Sequence, residues 1–195
     1  MFKNIKKLVA MGVVASMLVA NVGVVGFAAT VQPGASTATV NVLPGNLSMT
    51  DLGATSFEDA HLSGVTQTIT SGMPTTVTLT DATGSGAGWN VSMQATPFTN
   101  AAATGTIKTL SPGSLTLGDI TVTPKDDSKP IVASAASGAI DNETGVTILT
   151  AGTDEGMGTY DISMTAMSLK LLVSETKAGT YTSTITTTLT SGPAA

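Results

Sequence analysis

From Thr180 to Thr190 the chain reads TYTSTITTTLT, and this alternation restricts the fold more tightly than any other feature of the sequence. Successive side chains of an extended strand point to opposite faces, so Tyr181, Ile185 and Leu189 share one face while Thr182, Thr184, Thr186, Thr188 and Thr190 share the other. A helix would scatter both sets around its circumference. The same two-residue period places Trp89, Val91 and Met93 on one side of a second segment, and Tyr160, Ile162, Met164 and Ala166 on one side of a third. Thr is the residue that repeats the pattern, at 35 of 195 positions, and its β-branched side chain favours the pleated, half-buried surface of a sheet.

Strands are predicted over Thr37 to Leu43, Val65 to Thr70, Thr75 to Asp81, Gly88 to Ala95, Leu115 to Thr123, Val146 to Ala151, Thr159 to Ala166, Leu169 to Val173 and Gly179 to Thr190. Turn signals separate them, among them Pro44-Gly45, Ser71-Gly72, Pro112-Gly113 and Ala178-Gly179. One open sheet with an apolar stripe on one face would leave that stripe in water, whereas two sheets packed face to face bury it. The fold class expected is therefore all-β, a single-domain antiparallel β-sandwich, Ig-like or related. The charged and Pro-, Ser- and Gly-containing stretch Pro124 to Asn142 reads as its longest surface connection.

Residues 1–29 read as a secretory signal peptide: Lys3, Lys6 and Lys7 precede an apolar run from Leu8 to Phe27, and Gly26, Ala28 and Ala29 supply the small residues of a cleavage site. The domain then spans 30–195, with no integral membrane span after cleavage. Cysteine is absent, so stability must come from a hydrophobic core and not from disulfides. All thirteen acids and five of the eight lysines fall after residue 29, which gives that portion a formal charge of −8. There is no Arg and no basic stretch, so the cationic footprint that neutralises phosphates is missing, and nucleic acid is excluded as a partner.

Catalytic chemistry finds little to work with. His61 stands alone near Glu58 and Asp59 and reads as a solvated loop residue. The run Gly84-Ser85-Gly86-Ala87-Gly88 fails both nucleotide fingerprints, because Trp follows it and no Lys-Ser/Thr pair closes it. Asp51, Asp81, Asp119 and Asp161 are available carboxylates without a distinctive setting for glycan hydrolysis. No cofactor is expected. The one ion the loop acids could take is Ca²⁺, through Asp126, Asp127, Asp141, Glu143, Asp154 and Glu155, but their spacing matches no EF-hand and solvated charges are the plainer account.

Two segments, TDATGSGAGWNVSMQATPF (Thr80 to Phe98) and GMGTYDISM with AGTYTSTITTTLTSGP (Gly156 to Pro193), resemble the paired signatures of the WxL surface proteins. The first Trp-x-Leu motif is represented by Trp89-Asn90-Val91. The second is Thr187-Thr188-Leu189, with Thr where the family's second Trp would stand. The resemblance implies a wall-associated domain of Gram-positive bacteria, held non-covalently to peptidoglycan or wall polysaccharide. Candidate ligand-binding residues are Trp89, whose ring could stack on a sugar, Asn90 and Tyr181. Strand alternation supports a core role for Trp89 instead, beside Val91 and Met93.

The function expected is a secreted, non-enzymatic cell-surface protein bound to the wall, with other surface proteins or further copies of the chain as additional partners. The alternative is a structural subunit of an extracellular fibre or surface layer, assembled by adding strands edge to edge.

Overall fold

The computed structural model describes residues 37–53, 55–72, 75–100, 108–131 and 138–192. The expected signal peptide lies outside them. Contacts divide the chain into Met1–Val40 and Asn41–Ala195, and the second unit carries every strand described below.

Thirteen strands occur among the described residues, with no helix. They are β1 (Leu47–Met49), β2 (Gln67–Thr70), β3 (Thr75–Asp81), β4 (Trp89–Ala95), β5 (Thr99–Asn100), β6 (Lys108–Thr109), β7 (Leu115–Thr116), β8 (Ile120–Lys125), β9 (Val146–Ala151), β10 (Gly158–Met164), β11 (Ser168–Leu171), β12 (Tyr181–Thr182) and β13 (Ile185–Ser191). All pairings are antiparallel, in four ladders ordered β1-β3-β10-β8, β2-β11-β7, β13-β4-β9 and β12-β5-β6.

The four ladders are two bent sheets. Strands β2, β11 and β7 adjoin β3, β10 and β8 in the chain and keep their order, so these two ladders form one front sheet with a break across it. Strands β12 and β5 likewise extend β13 and β4 in a back sheet. At these breaks side-chain hydroxyls take the place of ladder carbonyls, two in the front sheet and one in the back sheet. Ser71 donates its N–H to the Met167 carbonyl and accepts the Met167 N–H on its Oγ, each at 2.8 Å. Thr165 does the same with Asp119, at 2.9 and 2.7 Å, and Thr96 with Thr184, at 2.9 Å in both directions. Pairing therefore continues through the bends, and the N–H groups that a kinked ladder would orphan stay satisfied.

The core lies between the sheets. Val77 and Leu79 of β3 and Tyr160, Ile162 and Met164 of β10 point inward from the front sheet. Trp89, Val91, Met93 and Ala95 of β4 and Leu149 and Ala151 of β9 meet them from the back sheet, all within one buried cluster. Trp89 and Tyr160 join the layers, their rings 6.0 Å apart in an edge-on contact. Each fully buried Leu, Ile or Val contributes about 1.5–3 kcal/mol, which is how a chain free of disulfides holds two sheets together. A small cavity of about 220 Å³ remains where the edge strands β1 and β13 approach, lined by Met49, Leu52, Met167, Ile185 and Thr187 among others.

The all-β class and most strand positions match the alternation of the sequence, and β3 and β9 have the predicted bounds. Four expectations are corrected. Residues 37–43 form no strand, and Val42 and Leu43 are exposed, because among the described residues no backbone pairs with them. The predicted strand Leu115 to Thr123 is two strands, since the backbone at Gly118 runs too close to Thr165 and Ala166 to admit a Cβ and the ladder breaks there. The terminal segment is likewise divided into β12 and β13 at the Thr96–Thr184 bend. Pro124 to Asn142 is not one surface connection: Pro124 and Lys125 end β8, and Ile140 and Asp141 are fully buried. Residues 132–137 lie outside the described residues.

Candidate functional site

Burial of one face of β13-β4-β9 leaves the other as a polar surface. Register places Thr190 beside Asn90 and Thr150, Thr188 beside Ser92 and Thr147, and Thr186 beside Gln94. Neighbouring strands lie about 4.8 Å apart and alternate residues about 6.8 Å apart along a strand, so hydroxyl and amide groups form a grid without a charge. The front sheet has a comparable outer face in Thr76, Thr78, Thr80, Thr159 and Ser163, but there Asp161 and Lys125 form an ion pair at 2.9 Å. That pairing, with a bond from Thr78 Oγ1, holds the Asp161 carboxyl below the usual carboxylate range.

Where the back sheet bends, its outer face sinks into a groove. One part, of about 380 Å³, lies between Thr184 and Thr186 on one side and Asn142 and Glu143 on the other, with Pro97 and Pro112 also lining it. A second part, of about 320 Å³, shares Thr96, Pro97 and Thr184 and runs on to Thr99, Thr109 and Thr182. The bend itself arises from an added residue. Thr182 pairs with Thr99 and Ile185 with Ala95, so three residues oppose two, and Pro97 sits within the surplus, where its missing N–H costs no ladder bond. The far wall is fixed by Gln94, whose amide donates to the carbonyls of Asn142 at 3.2 Å and Glu143 at 2.8 Å. The Asn142 side chain accepts the N–H groups of Thr144 and Gly145 and tightens the same loop. Glu143 is exposed, and among the described residues its carboxylate has no ion-pair partner.

The residues singled out in the sequence occupy two ends of the back sheet. Trp89 has no exposed surface, and its indole N–H donates to the Gly156 carbonyl at 2.9 Å. A Cβ on Gly156, which has φ of 73°, would collide with that indole, so a glycine is required for the turn to close over the ring. Asn90 faces outward beside it and donates to the Gly192 carbonyl at 3.0 Å, while Gly192 N–H donates to Gly88. Together Gly88, Trp89 and Asn90 tie the 152–158 turn and the end of β13 to β4. Tyr181 lies ten residues from the Ser191 that pairs with Trp89, roughly 33 Å along an extended strand. It is half-buried, and its hydroxyl accepts the Lys177 N–H at 2.9 Å. The three residues do not form one site.

The acids are also dispersed. Asp141 is not a solvated loop charge. It is fully buried and accepts the N–H groups of Gly113, Ser114 and Leu115 at 2.9–3.0 Å, so it holds the turn before β7. Glu175 accepts the Ser111 hydroxyl and N–H, which lowers its pKa. Asp81 faces the interior and accepts from Thr83 N–H and Oγ1, whereas Asp161 faces outward from the same sheet, so these two carboxylates cannot flank one substrate. Burial and the nearby Asp81 and Glu155 push the Tyr160 hydroxyl above its ordinary pKa. Among the described residues no three His, Asp or Glu side chains are grouped to hold a metal ion, and no helix is long and apolar enough to cross a membrane. The Gly84–Gly88 run is an irregular connection between β3 and β4, and the Gly86 carbonyl accepts the Asp154 N–H at 2.8 Å.

A family model described as WxL domain, surface cell wall-binding, matches residues 45–193. No curated protein and no solved structure matches the chain. With more than half its length covered, the chain belongs to the WxL family, a surface domain that binds the cell wall. The two motif segments are neighbours in space: Val91 pairs with Leu189 and Met93 with Thr187 across β4 and β13.

Proposed function

We propose that this WxL chain is exported with residues 1–29 removed as a leader, and that it then holds non-covalently to the Gram-positive wall through peptidoglycan or wall polysaccharide, catalysing no reaction. The observation that carries the reading is the outer face of β13-β4-β9. Its hydroxyls and amides are uncharged, regularly spaced along β4 and β13 and fixed on a sheet, so they can exchange hydrogen bonds with a carbohydrate surface at little ordering cost. Family membership supports the same attachment. Trp89 enters this function as the post that keeps the face in place, since no surface of its ring is open to a sugar. Co-sedimentation of the purified protein with wall preparations tests the reading. Binding that weakens when Thr188→Arg or Ser92→Arg is placed on the face is the expected result, and failure of the wild type to sediment refutes it.

A second reading has one observation in its favour. Strand β13 ends its sheet, and its seven residues contain neither a charge nor a Pro, the devices that commonly guard such an edge. Addition of a strand from a neighbouring copy would then build a fibre or surface layer. Light scattering over a concentration series tests it, with a constant monomer mass ruling it out.

A further inference from the structure

The groove across the bend of the back sheet has a chemistry of its own, narrower than that of the flat face beside it. We propose that it binds an extended oligosaccharide carrying a free amine, with the ammonium held at Glu143. The proposal rests on the wall-binding reading and names the ligand class for one part of that surface.

Four features select the ligand. The groove opens on the face of the sheet, on the side of β12 and β13 where their backbone groups are already hydrogen-bonded to β5 and β4. A peptide could extend the ladder only along the opposite, free edge of β12 and β13, outside the groove. The upper wall is a row of exposed hydroxyls, Thr182, Thr184 and Thr186, on alternate residues. Four residues of strand make that row about 13 Å long, enough for more than one sugar ring. The apolar lining is not aromatic, coming from Pro97 and Pro112, so ring edges and C–H faces can rest on it while their hydroxyls reach the threonines.

Charge decides the last point. Among the described residues no Lys lines either part of the groove. Glu143 stands at one end, with its backbone clamped by Gln94, so its carboxylate is offered from a fixed loop. Asp141 lies behind it with both oxygens committed to the N–H groups of residues 113–115. An anionic polymer such as a polyphosphate backbone is repelled, a neutral glycan is accepted, and a glycan with an unacetylated amine gains a charge-assisted hydrogen bond.

The test is titration of the purified protein, followed by NMR, with a glucosamine tetramer and with its fully N-acetylated counterpart. Wall co-sedimentation is run on the same samples. The wild type is expected to bind the glucosamine tetramer about tenfold more tightly. Glu143→Gln, which keeps the loop's backbone bonds, should remove that preference and leave the acetylated tetramer unaffected. Thr184→Arg should abolish binding of both, and Thr121→Arg on the front sheet should change neither; amide spectra report whether each variant is folded. If the wild type sediments with walls yet binds neither tetramer, the groove assignment is overturned while the wall reading stands. Unaltered binding in folded Thr184→Arg, or an unchanged amine preference in Glu143→Gln, also overturns it. Tetramer binding without wall binding refutes the wall reading and keeps the groove.

Discussion

Replacement of Trp89 by Phe separates a structural role for the indole from a contact role, and the structure sets the size of the effect. Phe keeps the six-membered ring but removes the rest of the indole from a site with no exposed surface and an edge-on contact to Tyr160 at 6.0 Å. The lost burial and the residual void cost about 1–2 kcal/mol. The Gly156 carbonyl, 2.9 Å from the indole nitrogen, loses its donor, for about 1 kcal/mol more. A destabilisation of about 2–3 kcal/mol follows, which for a domain of this size lowers Tm by roughly 4–12 °C. Calorimetry and urea titration followed by circular dichroism measure both quantities, and an unchanged urea slope would show that only stability has moved. Below Tm the folded variant should sediment with walls as the wild type does. A loss under about 0.5 kcal/mol would refute the packing account, and loss of wall binding in a folded Trp89→Phe protein would refute the assignment of the ring to the core.

Asp141→Ala leaves three N–H groups without their acceptor, those of Ser114 and Leu115 buried, and should cost about 3 kcal/mol, with Asp141→Asn intermediate because one oxygen remains; chemical denaturation orders the three proteins. Ser71→Ala removes the acceptor of the Met167 N–H at the front-sheet break and should cost about 1–2 kcal/mol, with faster amide exchange at Met167 as its local sign. Asp161 and Glu175 have folded pKa values below those of the unfolded chain, so their stabilisation is present above about pH 4 and is lost as pH falls through the folded values. Acid titration of Asp161→Asn and Glu175→Gln should accordingly show a shallower decline than the wild type.

The sequence displayed the sheets more clearly than it displayed what bends them. Strands such as Thr75–Asp81 and Val146–Ala151 were legible because a strand buried on one face writes a two-residue period, and seven or six residues suffice to read it. Lys108–Thr109 and Thr99–Asn100 are too short to carry a period at all. The breaks are hidden because Thr165 reads as an ordinary strand residue, Ser71 as part of a turn and Thr96 as the position after a strand, and only the partner's N–H reveals that each hydroxyl has replaced a carbonyl. Asp141 looked like a loop charge because the N–H groups it caps lie 26 to 28 positions away. The wet threonine face of the last strand could be read directly, but the groove could not, since its walls come from segments near Gln94, Glu143 and Thr184 that only folding brings together.

Trp89 is the single tryptophan of the chain, and its position between the sheets makes it a built-in optical probe. Its emission reports whether the turn at Gly156 and the ring of Tyr160 are still seated against it. Tyr160, at 6.0 Å, is close enough to pass its excitation energy to the indole. A red shift in emission without a change in far-ultraviolet dichroism would therefore mark separation of the two layers while each sheet keeps its own hydrogen bonds, a distinction that backbone spectroscopy alone cannot make.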